Sequence, residues 1–120
     1  MTGFEQSNFN NILREIIKKS LFTERQIEII LNHKNLAESK FSISRGAYFR
    51  QVGQSRNKLI GLYYSIILLR GLGVILPDDI DVISRLSEQI SVIQNSDVFP
   101  EREEQIIDVM EKAIHQIAGM

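Results

Sequence analysis

The chain is predicted to be all-α, with about five helices in a single domain over residues 1–120. Three observations carry that expectation. Apolar residues recur at spacings of three and four along most of the chain, helix-starting patterns stand at the head of several of these runs, and no stretch alternates apolar and polar residues as a half-buried strand does.

The first helix is expected over roughly 8–20, capped by Ser7, with Phe9, Ile12, Leu13, Ile16 and Ile17 forming one stripe. Thr23 followed by Gln26 is a capping-box pattern, with Phe22 placed to pack on Ile27. A second helix therefore starts there and stops near Lys34 and Asn35, after Ile27, Ile30 and Leu31 have shared a face. Residues 35–44, NLAESKFSIS, allow one helical turn and then offer Ser42 or Ser44 as the next cap. From Arg45 to about Arg70 a long helix follows, its stripe running through Tyr48, Val52, Ser55, Leu59, Leu62, Tyr63, Ile66 and Leu69. Gly53 and Gly61 inside it each cost about 1 kcal/mol against Ala, which suggests close approach by another backbone. Gly71 and Gly73 end it. Pro77, Asp78 and Asp79 open a helix with a stripe at Ile80, Ile83, Leu86, Ile90 and Ile93, and Pro100 with Glu101, Glu103 and Glu104 opens the last.

The segment LIGLYYSIILL, 59–69, is apolar most of the way round and needs cover on several sides. It is too short for a membrane span, which takes about 20 apolar residues. Two or more amphipathic helices follow it, so a homodimer built on 59–117 is expected, with Leu62, Tyr63, Ile66, Leu69, Ile83, Leu86 and Ile90 at its interface. The alternative is a monomer whose helices wrap one another.

Charge is unevenly spread. Residues 34–58 carry Lys34, Lys40, Arg45, Arg50, Arg56 and Lys58 against Glu38 alone, net plus 5, whereas 59–120 has four basic and ten acidic residues, net minus 6. Screening limits the reach of distant charges to about 8–10 Å, so a basic stretch can attract phosphate within a chain of overall charge −1. The plainer alternative is a solvated basic face without a ligand.

Little else carries chemistry. There is no cysteine, which excludes a disulfide scaffold, a thiolate metal site and a Cys nucleophile, and which fits a cytoplasmic protein. The N-terminus lacks the basic segment and apolar core of a secretory signal. His33 and His115 stand in separate helices without a ligand pattern, Asp78, Asp79 and Asp81 are explained by a helix start, and Gly71-Leu72-Gly73 follows a helix rather than a strand. No nucleophile has a base beside it. No metal, no cofactor and no enzymatic activity are expected.

FTERQIEIIL (22–31) together with SRGAYFRQVGQSRNKL (44–59) resembles the helix-turn-helix of the fourth region of bacterial sigma factors. In that family a Leu-Thr-x-x-Glu/Arg-Gln helix start precedes a recognition helix of the form Ser-x-Gly-Thr-Val-x-x-Arg-Leu-x-Arg-Ala-Arg-x-Lys-Leu. Ser44, Gly46, Arg56, Lys58 and Leu59 are identical to the pattern, Ala47 stands for Thr, Tyr48 and Val52 for apolar residues, and Ser55 for Ala. The resemblance covers about a third of the chain. It departs where the family has a further helix carrying Ile-Ala-x-x-Leu-Gly, a stretch about six residues shorter here, and Gln51 replaces the usual Arg.

The resemblance implies a DNA-binding transcriptional regulator that reads the major groove with the helix starting near Ser44. The residue types suit that task. Arg45 and Arg50 can bond guanine edges or phosphates, Gln51 and Gln54 can pair with adenine, and Ala47 can touch a thymine methyl. Ser42 and Ser44 lie at the entry to the groove, and Lys34, Lys40, Arg56 and Lys58 are placed for phosphates, which fix register without reading sequence. A dimer would face double-stranded DNA with two basic segments and prefer half-sites one helical turn apart or a multiple of it. The competing expectation is a non-enzymatic helical protein-interaction module, an adaptor or anti-regulator, whose acidic C-terminal helices bind a basic partner such as another transcription protein.

Overall fold

A computed structural model describes residues 9–94 and 100–120. It contains five helices, α1 (Asn11–Lys19), α2 (Glu24–His33), α3 (Arg45–Gly71), α4 (Pro77–Gln94) and α5 (Pro100–Ala118), and no strand among the described residues. The protein is all-α, as its periodicity predicts. The described chain falls into two compact units, one of Ile17–Ile67 and the other of Phe9–Ile16 with Leu68–Met120.

The helix ends follow from local chemistry. Ser7, the expected first cap, lies outside the described residues; the observed cap is Asn10, whose Oδ1 accepts from Leu13 N at 3.0 Å. At α2 the capping box forms in full: Gln26 N donates to Thr23 Oγ1 at 3.1 Å and Thr23 N donates to Gln26 Oε1 at 3.0 Å. Its C-terminus closes on Asn35, in the left-handed region at φ 58°, with Leu36 N donating to Leu31 O at 2.8 Å and Asn35 N to Asn32 O at 3.1 Å. Of the two serines offered as caps for α3, Ser44 is used: its Oγ accepts from Ala47 N at 3.1 Å. Gly73, at φ 84°, ends α3 as Asn35 ends α2, with Val74 N on Leu69 O at 2.8 Å and Gly73 N on Arg70 O at 3.2 Å. The helical turn allowed within 35–44 is absent; this stretch is turn and irregular backbone, so the further helix of the sigma-factor pattern has no counterpart.

In the first unit α2 packs on the first half of α3, burying Ile29, Val52 and Ser55. Asn32 and Tyr48 fasten the crossing, Asn32 Nδ2 donating to the Tyr48 hydroxyl at 2.9 Å, while Asn32 Oδ1 takes Ser39 N at 3.3 Å and so anchors the connecting loop. Phe41 from that loop lies 5.5 Å from the Tyr48 ring. In the second unit Asn10 serves twice, since its Nδ2 also donates to Ile93 O at 2.9 Å and ties the start of α1 to α4. Ile12, Leu13, Ile93 and Met110 are buried there, and α4 touches α5.

The apolar stripe of α3 is core only in its first half. Tyr48, Leu59 and Leu62 are half-buried with Val52 and Ser55 buried, but Tyr63, Ile66 and Leu69 are exposed. Gly53 and Gly61 do not mark a close internal approach either: a Cβ built on either one meets nothing within 4 Å. No described helix is long and apolar enough to cross a membrane.

Candidate nucleic-acid interface

Within the first unit, the connecting loop and the opening turns of α3 present most of the basic residues that the sequence singles out. Arg45, Arg50, Arg56, Lys34 and Lys40 are all exposed. Among the described residues none of these five forms an ion pair with a carboxylate; the Arg45 guanidinium lies 5.8 Å from the centre of the exposed Phe49 ring. The cost of stripping a carboxylate from these cations before they meet a phosphate is therefore absent.

The rotation of α3 sorts the candidates. At about 100° per residue, the buried Val52 and Ser55 with the half-buried Tyr48 and Leu59 define an inner side. Gly46, Arg50, Gly53 and Asn57 fall opposite it. Arg45 and Arg56 flank this outer side on one edge, about 16 Å apart at 1.5 Å per residue. Arg50 and Gln54, both exposed, occupy the other edge. Between the two edges run Gly46 and Gly53, neither with an atom of the chain within 4 Å of where its Cβ would stand. The outer surface is thus a shallow strip of bare backbone with cations on either side. Asn57, exposed on the same strip, was not among the expected readers. Projecting positions 46–57 at the helical angle would have found both it and the glycines.

Several expected contacts are placed otherwise. Gln51 is half-buried, and its Oε1 is covered without a hydrogen-bond partner, so it faces the fold rather than a groove. Lys58 is half-buried as well: its Nζ donates to Gln26 Oε1 at 3.0 Å and lies 5.8 Å from the Phe22 ring centre, which makes it a bolt between α3 and α2. Ala47 is half-buried behind the strip. Ser44 spends its hydroxyl on the cap, and Ser42 stands exposed in the loop.

Beneath the strip, between α2 and α3, lies a depression of about 110 Å³ walled by Ile29, Ile30, Val52 and Leu59 and rimmed by Lys34 and Arg56. Ser55 belongs to its wall, buried, with Oγ lacking a partner. Both histidines are exposed, and no group of three or more His, Asp or Glu that could hold a metal occurs among the described residues.

The chain matches no family model, no curated protein and no solved structure. The cationic strip of α3 therefore stands on its own residues.

Proposed function

We propose that this protein is a DNA-binding transcriptional regulator, acting in the cytoplasm as a homodimer and without catalysis, that lays the first half of α3 in the duplex major groove. The observation that carries the proposal is the set of exposed cations, Lys34, Lys40, Arg45, Arg50 and Arg56, left without carboxylate partners on one unit. An α-helix fills the major groove, and cations along it neutralise phosphate while Arg50 and Gln54 have the donors to read guanine and adenine edges. The sigma-factor resemblance supports the same end of the same helix. The missing middle helix does not remove the reader; Asn32, Phe41 and Tyr48 brace the loop and α3 in its place.

The glycines give a test whose two readouts move in opposite directions. Gly53 is helical and has open space beyond its Cα. Gly53→Ala is expected to raise stability by roughly 0.5–1 kcal/mol in urea unfolding, because Ala is the better helix former. If a duplex backbone comes down on that strip, the added methyl stands in its way, and affinity for DNA falls several-fold in the same preparation. A stabilised variant that binds DNA as well as the parent chain would remove Gly53 from the interface.

A further inference from the structure

The second half of α3 ends the amphipathic pattern of the first. From Leu59 to Leu69 no residue carries a charge. Ile60, Tyr63, Tyr64, Ile67 and Leu68 are exposed, Tyr64 by 71%, Ile67 by 68% and Tyr63 by 59%. Their spacing is i, i+3, i+4, i+7 and i+8, which places all five on one side of the helix. Gly61 stands beside them, open to solvent.

We infer that this side of α3, centred on Tyr64 and Ile67, is the seat of a second copy of the same chain. Three considerations select that occupant. With a full exposure of about 200 Å² per residue, the exposed fractions of Ile60, Tyr63, Tyr64, Ile67 and Leu68 come to roughly 600 Å². That is about three quarters of the ~800 Å² that each partner contributes to a standard interface, and at the upper end of the largest apolar patch of a typical monomer. The stripe has the three-four spacing by which one helix packs its ridge against another, and a two-fold axis lets the same stripe serve both partners. The absence of charge removes any repulsion between two identical faces and leaves an acidic or basic partner nothing to recognise. The two tyrosines add large rigid contact area with a polar tip, the composition of interface centres. The inference rests on the proposed reading only in that the protein acts as a dimer. It takes nothing from DNA binding, and its test contains no DNA.

The chain lacks cysteine, so a single introduced thiol reports on one position alone. Sedimentation velocity of the full chain at micromolar concentration is expected to give the dimer mass. Tyr64→Glu with Ile67→Glu should give the monomer, with a dissociation constant raised at least a hundredfold and an unchanged helical circular dichroism spectrum, because both side chains are exposed. In parallel, Ile67→Cys in the otherwise unaltered chain should form disulfide-linked dimers under mild oxidation well ahead of Gln116→Cys on α5. A monomeric parent chain overturns the inference, and so does a dimer that the double glutamate variant leaves intact. Should that variant not fold, the thiols decide: cross-linking at position 67 no faster than at 116 overturns it equally. Unchanged duplex binding on replacing Arg45 and Arg50 by Ala, with the dimer preserved, would strike the proposed function and leave this surface standing.

Discussion

Replacing Arg45 and Arg50 together by Ala is expected to lower affinity at least about thirtyfold for a duplex that the parent chain retains from mixed genomic fragments. Helical content should not change. Each arginine is exposed and free of a carboxylate, so neither holds the fold, and Ala propagates a helix at least as well as Arg. Only the contact between Arg45 and the exposed Phe49 ring is lost, and that is worth about 0.5–1 kcal/mol. Each arginine bonded to a guanine edge contributes about 1–3 kcal/mol, so two amount to about 2–6 kcal/mol, roughly one and a half to four powers of ten in affinity. The two lie on opposite edges of the strip, which makes the pair more informative than either alone. An unchanged affinity at low salt would mean that the strip is a solvated face.

The largest effect on stability is expected from Ile29→Ala. Ile29 is 1% exposed, and it walls the depression between α2 and α3 with Val52 and Leu59. Truncation removes three carbons from a place that already holds unfilled space, so neighbours have little to collapse onto. The expected loss is about 3 kcal/mol, within the 2–5 kcal/mol typical of such truncations, read as a lowered midpoint in urea. For a domain with about 5–15 kcal/mol in hand, that is a large fraction. Because α2 and its capping box hold the Lys58 bolt and the Asn32 brace, the first half of α3 would lose its support with its core. A loss under about 1 kcal/mol would show that the α2–α3 crossing does not hold the first unit together.

Much of this was legible from residues alone, and the exceptions have definite causes. Thr23 with Gln26 announces its helix because both halves of a capping box are local, and Gly73 and Asn35 end theirs for the same reason. Ser7 lies outside the described residues, whereas Asn10 both caps α1 and reaches the Ile93 carbonyl, a tertiary contact that no local pattern announces. The basic stretch was visible as composition, yet which members face outward depends on the rotation of α3. That rotation turns Gln51 inward and gives Lys58 to Gln26. The cost of Gly53 and Gly61 within α3 suggests close approach by another backbone, and the empty space around both shows that none of the described backbone of this chain makes that approach. In LIGLYYSIILL the uniform apolarity predicts a need for cover without saying which side lacks it, and only the exposure of Tyr64 and Ile67 singles that side out.

Salt dependence of duplex binding tests the account most directly. A titration by fluorescence anisotropy should give a straight line of log affinity against log salt, its slope set by the phosphates neutralised. With the five exposed cations of each subunit engaged, ten in the dimer, that slope is about −9, and affinity falls by roughly five powers of ten between 50 and 200 mM salt. A weak interaction indifferent to salt, or none at the lowest concentration, would contradict the account and leave the acidic C-terminal helices as the surface to pursue.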